Sequence, residues 1–138
     1  MDYYYQKLDK LLEEFHEVMH DYPLFKEDIE LIENKDVKEI NELLEKNNEF
    51  YLKKAISKLE DLIKYIKETS ETINKEYSTF SKLVDIWDKI ELHNVSNKEL
   101  SIINDKVIKA NSLIKSHDIK DLIEANKIMN ELIKMTRF

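Results

Sequence analysis

Residues 50–87, FYLKKAISKLEDLIKYIKETSETINKEYSTFSKLVDIW, decide the fold. Apolar or small side chains return at alternating steps of four and three: Leu52, Ile56, Leu59, Ile63, Ile66, Ser70, Ile73, Tyr77, Phe80, Val84 and Trp87. That heptad spacing lays one continuous seam along a helix, for which the partner is either another helix of the same chain or a second copy of it. The polar cluster Thr69 to Thr72 and a possible cap at Ser78 predict two helices that break at 77–79. His93-Asn94 is the expected end of the segment.

The same helical spacing recurs on both sides. Upstream, Tyr4, Leu8, Leu11, Leu12, Phe15, Val18, Met19 and Tyr22 share one face of a helix over 3–22, which Pro23 ends. A short helix over 26–33 follows, stopped at Asn34, and Asp36 caps a third that carries Val37, Ile40, Leu43 and Leu44 into Asn47-Asn48. Downstream, Ser96-Asn97-Lys98-Glu99 is a capping box that opens a helix to about Lys115, striped by Leu100, Ile103, Val107, Ala110 and Ile114. Asp118 caps a last helix with Ile119, Leu122, Ile123, Met129, Leu132 and Ile133 inward. The link between these two is short enough to require antiparallel neighbours. Residues 31–40 and 113–122 also line up, each with an apolar pair before an aspartate cap, as a faint internal repeat.

The expected fold is therefore all-α, a bundle of five to seven helices ending in an antiparallel helical hairpin. Its 138 residues make one domain: acidic helices over 1–47, a long heptad segment over 48–92, and the hairpin over 96–135.

Composition excludes much chemistry. The chain has no glycine, which dinucleotide fingerprints, P-loops and EF-hand loops need where backbone takes positive φ or approaches a phosphate or ion. It has no cysteine, so thiol catalysis, disulfides and thiolate metal sites are excluded. The start Met1-Asp2-Tyr3 lacks the regions of a signal peptide, and no apolar run nears the roughly 20 residues that span a bilayer, so a cytoplasmic protein without membrane contact is expected.

Charge is unevenly placed. Residues 1–50 carry 15 acids and 6 lysines, 51–97 carry 8 of each sign, and 98–138 carry 6 acids and 8 bases. An acidic end repels a phosphate backbone, so nucleic acid is not an expected partner. The one arginine, Arg137, leaves no arginine clamp for phosphate or carboxylate.

One catalytic string stands out, His16-Glu17-Val18-Met19-His20, an H-E-x-x-H on a helix. In zinc peptidases this spacing sets two imidazoles on one face with the glutamate as general base, and Glu39, 19 residues after His20, resembles the third ligand of the gluzincin pattern. Against this, rotation from the stripe of Leu8, Phe15 and Met19 puts His16 at the edge and His20 on the solvent side, and Pro23 ends the helix at once. A zinc hydrolase using His16, His20 and Glu39 is thus the weakest alternative, and no metal or cofactor is expected. His93 and His117 read as surface or helix-end residues. Tyr3-Tyr4-Tyr5 cannot all face one core, and Tyr3 and Tyr51 are the expected partner-binding residues.

The runs from Phe50 to Ile63, Phe80 to Trp87 and Ile108 to Leu132, the last with its Leu-Ile, Asp118, Leu122 and Leu132 pattern, resemble the C-terminal helical region of non-standard bacterial chaperones of the DnaK, or seventy-kilodalton heat-shock, family. His117 stands where those relatives have glycine, and Ile133-Lys134-Met135 replaces a Leu-Leu-Pro ending. The resemblance implies a piece of a longer protein without nucleotide turnover of its own: an accessory module contacting unfolded clients, a partner protein or the ATPase domain of its parent chain. The alternative from charge alone is a small helical inhibitor, immunity protein or antitoxin that binds a basic partner.

Overall fold

The computed structural model describes residues 2–93 and 95–136. It is 87% helix in five helices, with no strand among the described residues. Helix α1 is Asp2–Asp21, α2 is Lys26–Leu31, α3 is Lys38–Glu45, α4 is Glu49–Asp88, α5 is Asn97–Ile114 and α6 is Ile119–Thr136. A π-helical run, Ile32–Val37, joins α2 to α3, so these two count as one continuous helix. The chain divides into two compact units, Met1–Glu71 and Thr72–Phe138, and α4 supplies residues to both. Asn94 of the expected stop and Arg137 lie outside the described residues.

The expected stop at Asn34 and cap at Asp36 do not form. Leu31, Val37 and Lys38 all keep right-handed helical dihedrals and the chain winds on. The cause is packing: Ile32 is fully buried and Val37 lies against the same core, five residues on. In an α-helix residues five apart diverge by about 140°. Winding that bonds i to i+5 brings them nearly into line, so both face inward without breaking the helix.

Around this run the first unit closes on Leu8, Val18, Ile40, Leu52, Ala55, Ile56, Leu59, Leu62, Ile63 and Ile66, all buried. Two ion pairs set the register of α1 on α4: Lys7 with Glu60 at 3.3 Å and Glu14 with Lys67 at 3.1 Å. Seven residues separate the pairs on each helix, so α1 and this part of α4 run in the same direction. A third, Lys58 with Glu39 at 3.1 Å, ties α4 to α3. Between α3 and α4, Asn47 takes φ 48°, one of few non-glycine conformations available at a helix end in a chain without glycine. Asn48 then caps α4, its Oδ1 accepting from the Phe50 N–H at 2.8 Å.

Helix α4 is unbroken over its 40 residues, which corrects the expected break at 77–79. The polar signals are absorbed by position. Thr69 and Ser70 are both buried, Ser70 at a seam position and Thr69 beside it. Ser78 and Thr79 occupy an ordinary turn whose neighbours Tyr77 and Phe80 are half-buried, so the seam holds the helix against a local capping preference. The same helix ends earlier than the expected His93: Lys89 and Ile90 donate to Ile86 and Trp87, three residues back, and this tightened turn releases the chain after Asp88.

In the second unit Ile103, Ala110, Ile128, Met129 and Leu132 form the core, with Phe80, Leu83, Val84 and Trp87 of α4 half-buried against it. Both expected caps are present: Ser96 Oγ accepts from the Glu99 N–H at 3.1 Å, and Asp118 Oδ1 from the Lys120 N–H at 2.8 Å. His117, at φ 60°, takes the left-handed turn that ends α5. The two joints paired as a repeat are therefore unlike: 113–122 is a true break with a capped restart, whereas 31–40 is continuous helix. Asn126, buried on α6, donates from Nδ2 to the carbonyl of Glu76 at 3.0 Å and to its carboxylate Oε2 at 2.6 Å, fixing α6 against α4.

Candidate functional site

The most conspicuous surface is the aromatic end of the first unit. Tyr5 Oη donates to Asn47 Oδ1 at 3.2 Å, which brings the start of α1 to the link before α4. Lys53 lies 5.1 Å from the Tyr4 ring centre and Lys46 4.2 Å from that of Tyr51. The Tyr4 hydroxyl, by its hydrogen bond and then its charge, and Glu49 behind it hold the Lys53 ammonium above its ordinary pKa. Tyr4 is thus used internally, while Tyr3, edge-on to it at 5.3 Å, is 67% exposed.

Tyr51 is half-buried beneath Lys46, and its edge-on neighbour Phe50, at 5.2 Å, is the outward ring at 65% exposure. Tyr5 is also outside. Of the two residues expected to meet a partner, Tyr3 is exposed and Tyr51 is half-buried beside the more exposed Phe50. The signal was present in the helix phase: Phe50 precedes Leu52 by two residues, about 200° around the helix from the seam.

The residues of the H-E-x-x-H do not converge with Glu39. His16 and His20 are both exposed on α1, and His20 Nδ1 faces Asp21 Oδ1 at 2.9 Å. Glu39 lies on α3 with its carboxylate on Lys58. Among the described residues no three histidine, aspartate or glutamate side chains gather as a metal-binding group.

Two of the surface hollows have an apolar lining that bears on binding. One of about 510 Å³ in the second unit has Leu92, Val95, Ile103 and Met135 as apolar lining, with Glu91, His93 and Glu99 around it. His93 Nε2 is 3.0 Å from Glu91 Oε2. The other, about 400 Å³, lies between the π-wound helix and α4 in the first unit. Sequence reasoning named Glu39 there but missed Leu31 and Asp36, whose placement depends on the π-helical run, and Tyr65 of α4.

Charge separates the units. Residues 1–71 carry 19 acids against 11 lysines, a net −8, and residues 72–138 carry 10 acids against 11 bases, a net +1. On α1 the exposed acids Asp9, Glu13, Glu17 and Asp21 repeat every four residues, a like-charge line that costs helix stability rather than adding to it. No helix among the described residues is long and apolar enough to cross a membrane.

Comparison of the chain with protein-family models, curated proteins and solved structures gives no match.

Proposed function

We propose that this chain is a non-catalytic, cytoplasmic helical module that works by binding another protein through the aromatic end of its first unit. The observation that carries this reading is the clustering of exposed Tyr3, Tyr5 and Phe50 at one end of a unit of net charge −8. Large rings held by neighbours lose little conformational freedom on binding, and surrounding acids select a basic partner and speed its approach. The fold that goes with this reading is a helical bundle ending in an antiparallel hairpin of α5 and α6. Their four-residue link and the Lys106–Glu131 pair at 3.5 Å support that arrangement.

The test is capture on the immobilised full chain, with crosslinking and mass spectrometry, beside a Tyr3→Ser/Phe50→Ser variant. Both side chains are exposed, so the variant keeps its fold. One stoichiometric partner is expected on the parent chain, released by salt as screening shortens to within about 10 Å near 0.1 M, and absent from the variant. Retention of the same proteins by both overturns the reading.

The second reading is the client-contact region of a DnaK-like chaperone. What favours it is the second unit, where Ile86, Ile102, Ile108, Ile123 and Met135 are left outside despite near-neutral charge. It calls for salt-insensitive binding of extended apolar peptides that an Ile108→Ser change weakens.

A further inference from the structure

The groove of about 400 Å³ in the first unit combines features that general surface charge does not require. Its apolar floor is buried Ile40 and Leu62. At its rim two large side chains stand in water, Leu31 at 52% exposure and Tyr65 at 43%. Its one lysine, Lys58, is already engaged by Glu39. Asp36 and Asp61, which also line the groove, make no ion pair among the described residues.

The π-helical run is what assembles this rim. Leu31 and Asp36 are five residues apart and would diverge by about 140° on an α-helix. The wider winding of Ile32–Val37 turns them toward the same edge, and π turns of this kind recur at functional sites. An apolar floor thus sits between two uncompensated carboxylates, within a unit of net −8.

We propose that this groove receives a short basic amphipathic segment of a partner protein. An apolar side chain of the segment rests on Ile40 and Leu62 between Leu31 and Tyr65, while a lysine or arginine on each side reaches Asp36 and Asp61. The arrangement is helix-in-groove recognition with charges at the margins. A neutral or acidic segment would bury the same carboxylates without a counter-charge, and that cost supplies the selectivity. The inference rests on the reading that the module binds protein, and adds a second contact apart from the aromatic end.

The test is nuclear magnetic resonance of the ¹⁵N-labelled full chain. The titrants are a synthetic leucine–lysine peptide of about a dozen residues with helical spacing, and the same peptide with glutamate for lysine. At about 50 mM salt the lysine peptide is expected to shift the amides of 31–40 and 58–65 saturably, and the glutamate peptide to shift none. Asp36→Asn/Asp61→Asn should weaken binding by about tenfold, while Tyr3→Ser/Phe50→Ser leaves it unchanged.

Shifts centred on Asp9, Glu13, Glu17 and Asp21 would mean the peptide follows bulk charge, and overturn the proposal. So would indifference to the Asp36 and Asp61 changes. Groove shifts that grow with protein concentration alone would assign the groove to a second copy and overturn a foreign segment. Capture unaffected by Tyr3→Ser/Phe50→Ser overturns the aromatic-end reading without touching these results, so the two failures are separable.

Discussion

The two halves of α4 carry one heptad pattern and meet different fates. In the first unit Leu52, Ile56, Leu59, Ile63 and Ile66 are buried beneath α1 and the π-wound helix, and lysines and glutamates bridge the margins. In the second unit Ile73 is still buried, but Tyr77, Phe80, Val84 and Trp87 further along the same seam are half-buried. Periodicity therefore says which side of a helix turns inward. How completely that side is covered depends on what the rest of the chain lays over it, and the seam's first half is covered within the chain.

The sharpest way to break this contrast is to cut the seam once in each half. Leu59→Ala should lower stability by about 2–5 kcal/mol, because a fully buried leucine leaves a cavity that a tightly bridged unit cannot collapse. Val84→Ala should cost about 1 kcal/mol, since fewer atoms are removed and water already reaches part of the site. Chemical denaturation followed by circular dichroism measures both. Equal losses would show the two halves to be packed alike.

Next in size is a change at the crossing from one half to the other. Thr79→Pro removes an N–H from the interior of a continuous helix and sets the ring against the carbonyl four residues back, at about 3 kcal/mol or more. Had Ser78 been an N-cap, Thr79 would occupy the first helical position, where proline is well tolerated. The same measurement thus decides between one helix and two. A near-neutral result would restore the break.

These cases show where the sequence was legible. Seam positions, the Ser96 and Asp118 caps and the end at Pro23 are local, and each was readable because one physical cause dominates. The stop at Asn34, the cap at Asp36 and the break at Ser78 were misleading for one reason: their capping chemistry is real but worth about 1 kcal/mol each, and burial of Ile32, Val37 and the seam outweighs it. Of the site, Tyr3 was legible because three successive tyrosines cannot share one face. The groove was not, because it exists only once a π-helical run has turned Leu31 and Asp36 to one edge.

The last contrast is between one buried polar side chain of each unit, Asn126 in the second and Ser70 in the first. Asn126 in the second unit donates from its Nδ2 to the carbonyl and the carboxylate of Glu76, while its Oδ1 has no hydrogen-bond partner among the described residues, so Asn126→Ala should cost about 1–3 kcal/mol by emptying space and deleting a buried hydrogen bond. Ser70 in the first unit is fully buried, and its Oγ has no hydrogen-bond partner among the described residues. Its hydroxyl lost water on folding and gained nothing in exchange, while serine is also a poorer helix former than alanine. Ser70→Ala should therefore raise stability by about 1 kcal/mol, seen as a higher denaturation midpoint with an unchanged slope. Ser70→Val separates size from polarity: the alanine gain should vanish or reverse, because a larger β-branched side chain overpacks a position that is already fully buried. A loss for Ser70→Ala would mean the hydroxyl is held after all, and the contrast between a tied polar group in one unit and a stranded one in the other would fall.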